Sequence, residues 1–109
     1  IHTGKAHHSG INNWQVIKSV VEKNQETISC LKEIARISDD TARVCRQGEW
    51  QMLPELFKRE FEARIRLAPS FTSPEIENLK KIVFAAGGSA VKICGAGGGG
   101  SVMVWADHS

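Results

Sequence analysis

Gly95, Gly97, Gly98, Gly99 and Gly100, with Ala96 among them, place five glycines within six positions, and this is where the 109-residue chain could do chemistry with bare backbone. Glycine reaches positive φ without a Cβ clash, and successive main-chain amides in such a turn form a concave nest for an anion. Phosphate is the first anion to consider. Apolar, largely β-branched runs flank the glycines, with Val91 and Ile93 before them and Val102 and Val104 after, so the pattern reads strand, loop, strand. A loose hairpin turn would show the same run, and residues 97–101 also spell the repeat used in flexible linkers. The loop is not a Walker A motif, because no Gly-Lys-Ser/Thr follows. Nor is it a dinucleotide fingerprint, because a strand follows instead of a helix.

A second group lies near the amino terminus, where Lys5, His7, His8 and Ser9 occupy a polar loop after the short apparent strand end Ile1-His2-Thr3-Gly4. Three histidines within seven residues raise the question of a metal, but no carboxylate or cysteine nearby completes a site, and ligand contacts or simple solvation account for them as well. Asp39 and Asp40 could hold Mg²⁺ or act as acid and base. They also stand where the first turn of a helix starting at Ser38 wants negative charge, and that explanation is preferred. No residue of this chain is assigned as catalytic or as a metal ligand. The odd cysteine count (Cys30, Cys45, Cys94) without metal-like spacing reads as reduced thiols and a cytoplasmic setting.

Fourteen basic against twelve acidic residues give a formal charge of +2, interleaved as in Lys58-Arg59-Glu60, so no basic block points to nucleic acid. No apolar run approaches the roughly 20 residues of a membrane span. The length suits one domain that buries about two thirds of its unfolded surface. The chain opens at Ile1 without a methionine, in what reads as the middle of a strand, and a fragment or processed product is therefore expected.

Several elements must position these groups. Asn12 with Gln15 three residues later resembles a capping box, and Trp14, Ile17, Val21, Ile28, Leu31 and Ala35 recur at helical spacing, predicting one long amphipathic helix. A short helix from Ser38 should stop near Gly48. Leu53, Leu56, Phe57, Phe61 and Ile65, with Trp50 before them, predict a helix starting near Pro54 whose aromatic residues are core. Ser73-Pro74-Glu75 opens the last helix, with Ile76, Leu79, Ile82, Val83 and Ala86 as its buried stripe and Gly87-Gly88 as its end. A strand over 90–94 follows. Helices in a run between strands predict a two-layer α+β fold with helices on one face of a small, mainly antiparallel sheet. The sheet edges and an uncovered apolar helix face also favour self-association of the fragment.

The stretch from Ser73-Pro74-Glu75-Ile76 through Ala85-Ala86-Gly87-Gly88 to Val91-Lys92-Ile93-Cys94 and the glycine loop resembles the third conserved motif of the galactokinase, homoserine kinase, mevalonate kinase and phosphomevalonate kinase (GHMP) family. Thr3-Gly4-Lys5-Ala6-His7-His8-Ser9-Gly10 resembles the strand and loop with which these enzymes enter their C-terminal domain, and Asn12-Asn13-Trp14 is most similar to the heptose-phosphate kinase-like sugar kinases. The resemblance spans essentially the whole chain. It implies a ferredoxin-like C-terminal domain, truncated after Trp105, where the family adds a further helix and strand. It implies ATP and Mg²⁺ as cofactors, and a separate N-terminal domain as partner carrying a Pro-x-x-x-Gly-Leu-x-Ser-Ser-Ala loop, the Mg²⁺ ligands and usually an aspartate base. None of those features can be matched in this sequence, so the chain alone is not expected to turn over.

On that resemblance Gly95, Ala96, Gly97, Gly98, Gly99 and Gly100 lie against the nucleotide-phosphate loop, while Lys5, His7, His8 and Ser9 border a sugar or sugar-phosphate pocket. Lys92 either adds positive charge nearby or is a solvated strand lysine. The rival reading is a non-catalytic α+β ligand-binding or interaction module whose glycine loop holds a metabolite phosphate without transferring it.

Overall fold

The computed structural model describes residues 1–4, 9–95 and 100–107, with only the backbone described at 9–12. Among the described residues four helices precede two strands: α1 (Ser9–Val21), α2 (Gln25–Gln47), α3 (Leu53–Leu67), α4 (Pro74–Ala85), β1 (Gly88–Cys94) and β2 (Ser101–Ala106). Single 3₁₀ turns, Trp50–Met52 and Pro69–Phe71, lead into and out of α3. β1 and β2 pair antiparallel with Val91 opposite Val104, Ile93 opposite Val102 and Cys94 opposite Ser101. The architecture is α+β, as expected. No helix among the described residues is long and apolar enough to cross a membrane.

Residues 1–3 add a partner to β2. His2 bridges to Ser101, the Ile1 main-chain nitrogen donates to the Val102 carbonyl at 2.8 Å, and the Val102 amide donates back to the Ile1 carbonyl at 2.8 Å. β2 is thereby hydrogen-bonded on both sides, which satisfies backbone groups that a two-stranded ribbon would leave open.

The main core joins Phe61 of α3, Phe71, and Ile76 and Val83 of α4 to Val91, Ile93 and Val102 of the strands. A second cluster holds Ile37 and Val44 of α2 against Leu53 and Leu56 of α3. Phe57 and Trp105 pack on that cluster, ring edge to ring face with centroids 5.9 Å apart. Gly88 is required where α4 hands over to β1. A Cβ there would stand 2.3 Å from Val83 Cγ1 and 2.9 Å from the Val83 carbonyl oxygen, so any larger residue would push the strand off the helix.

Local capping chemistry behaves as the residue types dictate at three places. Gly48 ends α2 in the left-handed region at φ 72°. α3 carries Pro54 in its first turn, and the Ser73 hydroxyl accepts from the Ile76 amide at 3.2 Å to open α4.

The expected long helix over 12–35 is corrected, because the chain breaks at 22–24. Lys23 adopts φ 58° and Asn24 caps a new helix, its side-chain oxygen accepting from the Thr27 amide at 3.1 Å. α1 also begins at Ser9, ahead of the expected cap at Asn12. The break resets the helical phase, so Trp14, Ile17, Val21 and Leu31 are exposed while α2 buries Thr27, Cys30, Ile37 and Val44.

No helix starts at Ser38. Ile37 and Val44 are buried two turns apart, and the Thr41 hydroxyl between them donates to the Ile37 carbonyl at 2.7 Å, so α2 runs straight through. Trp50, on a 3₁₀ turn outside the α3 stripe, is exposed instead of core. Ile82 and Ala86 also point outward, because the buried face of α4 follows Ile76 and Val83.

α2 and α3 are clasped at their surface by Arg59, whose Nη2 donates to Glu33 Oε1 at 2.8 Å and whose Nη1 lies 3.7 Å from Asp40 Oδ2. The Arg59 hydrogen bond holds the Glu33 carboxyl below its ordinary value near 4.5, against an opposing push from desolvation. A carboxyl with a lowered folded-state pKa stabilises the fold above its unfolded value, and the contribution fades as pH falls through the folded one. Glu33→Gln is therefore expected to lower the melting temperature slightly at pH 7, with the gap from wild type closing as pH drops below about 4.5. Thermal melts at a series of pH values check this, and a gap independent of pH would contradict it.

Candidate functional site

The β1–β2 register ends at Cys94 opposite Ser101, so 95–100 form the connection between the strands. Its two described ends are Gly95 at φ 79° and Gly100 at φ 73°. Both lie in the left-handed region that side chains with a Cβ rarely adopt, and among the described residues no atom beyond their chain neighbours lies within 4 Å of where a Cβ would sit at either. No described residue therefore crowds the main chain at either end of the turn.

Residues 1–4 are stitched to the same turn. The Thr3 amide donates to the Gly100 carbonyl at 2.7 Å, and Gly4 follows at φ 81°, its amide donating to His2 Nδ1 at 2.9 Å. Thr3 Oγ1 is buried with no hydrogen-bond partner among the described residues. Residues 5–8 then lead to Ser9, the first residue of α1. Five Cα steps span at most about 17 Å, so the start of α1 cannot lie farther than that from Gly4. A helix N-terminus offers unpaired amides and the positive end of its dipole. The described ends of the glycine turn and the segment at residues 1–4 thus meet at the Thr3–Gly100 hydrogen bond, with the start of α1 within five residues of Gly4.

Of the two expected groups of site residues, the described parts are Gly95, Gly100 and the backbone of Ser9. Thr3 and Gly100 are in contact, and Gly95 and Gly100 frame the turn. Lys5, His7 and His8, and likewise Ala96, Gly97, Gly98 and Gly99, lie outside the described residues, and Ser9 is placed only by its backbone. Among the described residues no group of three His, Cys, Asp or Glu side chains could hold a metal ion.

Lys92 is not a free strand lysine. Its Nζ lies 3.4 Å from Glu60 Oε2 and donates to the Ile93 carbonyl at 3.3 Å. Glu60 is buried at 6% exposure in α3, and Arg64, one turn on, grips its other oxygen through Nε at 2.8 Å and also through Nη2. In sequence Glu60 stands in a run of alternating charges that reads as a solvated face. The one available signal was its place between Leu56 and Ala63 on the buried side of the helix.

A family model described as GHMP kinases C terminal matches residues 11–109. No curated protein and no solved structure matches the chain.

Proposed function

The chain belongs to the GHMP kinase family as a C-terminal domain, and from that premise we propose that it forms one wall of an ATP-dependent small-molecule kinase and is inactive by itself. Phosphoryl transfer asks little covalent chemistry of a protein: it needs the triphosphate cradled, its charge balanced, and an acceptor hydroxyl held in line. In this reading the backbone of 95–100 lies against the nucleotide-phosphate loop of an N-terminal domain. Lys5, His7, His8 and Ser9 border the acceptor. The observation that carries the reading is the Thr3–Gly100 hydrogen bond, which ties the root of the acceptor-side segment to the end of the phosphate-side turn.

The fit to a polyphosphate neighbour is supported by the left-handed backbone at Gly95 and Gly100, where no described residue beyond the chain neighbours comes within 4 Å of a Cβ position. Mg²⁺, when bound, would offset the phosphate charge, and its ligands are assigned to the N-terminal domain. The residues of this chain bind, orient and exclude water. A sugar or sugar-phosphate acceptor is the reading favoured by the Asn12-Asn13-Trp14 sequence that enters α1, and a cytoplasmic setting by the unpaired cysteine count.

Titrating ATP and a panel of sugar phosphates into residues 1–109 tests the division of labour. A half-enzyme is expected to bind nucleotide at millimolar strength or not at all. Micromolar binding of a sugar phosphate by the isolated chain would instead support a ligand-sensing module and overturn the proposal.

A further inference from the structure

A second feature stands apart from the glycine turn and does not rest on the kinase reading. α2 and α3 enclose a half-open cavity of about 470 Å³, within the usual range for small-molecule pockets. Its walls are mainly apolar, with Ile37, Leu56 and Phe57 among them, and Glu60, Arg64 and Lys92 line it as a polar group.

The charges of that group do not balance. One carboxylate faces two cations, and the Arg64 and Lys92 side chains are only 25% and 28% exposed. Arg64 spends Nε and Nη2 on Glu60 Oε1, and no described residue takes its Nη1. Lys92 has three donors, one directed to the Ile93 carbonyl and one toward Glu60, which leaves the third. Among the described residues Glu60 Oε2 meets only the Lys92 ammonium, at 3.4 Å and without a well-formed hydrogen bond. A surplus positive charge beside a largely apolar wall is poorly solvated, and a counter-anion that brings its own apolar surface relieves both conditions at once.

We propose that this cavity binds a small amphipathic monoanion, a carboxylate joined to an apolar body, with its head on Lys92 and Arg64 and its body against Ile37, Leu56 and Phe57. Glu60 holds the two cations in place. A cation would meet Arg64 and Lys92 head on, and a neutral amphiphile would leave the surplus charge as it was. The site therefore selects by charge sign as well as by shape.

The test uses octanoate as probe, with octan-1-ol and octylammonium as matched neutral and cationic controls, titrated into the isotope-labelled whole protein and followed by NMR chemical shifts. Octanoate is expected to move the Phe57 and Lys92 amides and to bind at least tenfold more tightly than either control. Lys92→Met should reduce octanoate to the level of octanol. Ala42→Phe, at the cavity lining but exposed, should weaken all three while leaving the melting temperature near that of wild type. The proposal is overturned if octanol or octylammonium matches octanoate, if the shifts fall on the exposed Trp14 and Ile17 of α1, or if a folded Lys92→Met protein binds octanoate unchanged. These readouts involve no phosphoryl transfer, so they can fail while the kinase reading stands, and the reverse.

Discussion

Phe61→Ala is expected to remove about 3–5 kcal/mol of stability, the usual range for truncating a buried phenylalanine. The ring is 2% exposed and belongs to the cluster of Phe71, Ile76, Val91, Ile93 and Val102, with Lys80 Nζ 4.6 Å from its centroid. Its loss removes the apolar transfer energy and leaves a cavity between α3, α4 and β1 that neighbours on three elements cannot all collapse to fill. For a domain whose whole stability is of order 5–15 kcal/mol, that is a large share. The effect reaches the end of the molecule proposed to meet the nucleotide, because β1 leads into the glycine turn. Denaturant unfolding of Phe61→Ala beside Trp14→Ala checks the claim. Trp14 is 62% exposed, and its truncation is expected to change stability by no more than about 0.5 kcal/mol. Equal losses in the two variants would contradict the assignment of the core.

In the whole enzyme, Gly98→Val is expected to lower kcat/KM for phosphoryl transfer at least about 100-fold, equivalent to roughly 2.7 kcal/mol of transition-state stabilisation. A displacement of about 1 Å in a positioned reactant costs that much when catalysis is chiefly alignment and charge stabilisation. Valine in the middle of the glycine run adds a branched Cβ where the proposal needs bare amides. Fold stability should change far less, because position 98 lies outside the paired register of β1 and β2. Steady-state kinetics and a thermal melt on the same preparation separate the two effects. Were the turn a mere hairpin, activity would survive the substitution.

The parts of the fold that could be read in advance are those decided within a few residues. Ser73 and Pro74 open α4, Gly48 closes α2, and Pro54 marks the first turn of α3, because each acts through its own backbone or the next amide. The break at 22–24 escaped because apolar spacing continues across it. Only the Asn24 cap on Thr27 and the left-handed Lys23 show that the phase restarts. Ser38-Asp39-Asp40 has the composition of a helix start, yet the buried pair Ile37 and Val44 keeps α2 continuous.

For the candidate site, the two flanking strands followed from apolar alternation, whereas the tie of Thr3 to Gly100 is visible only in the structure. The Glu60 group did not. Its partner Lys92 comes from a distant strand, and an i,i+4 acid–base pair looks the same in sequence whether it is buried or solvated. Tertiary packing alone distinguishes the two.

The central claim is that this domain completes a kinase active site at the junction of the glycine turn and the amino-terminal segment. Transfer of the ATP γ-phosphate by the whole protein to a panel of sugars and sugar phosphates, with Mg²⁺ present, tests it most directly. The account predicts acceptor-dependent formation of ADP and a phosphorylated alcohol in equal amounts, abolished by Gly98→Val. A folded whole protein that binds ATP yet transfers phosphate to no alcohol acceptor, or a Gly98→Val protein as active as wild type, would contradict it.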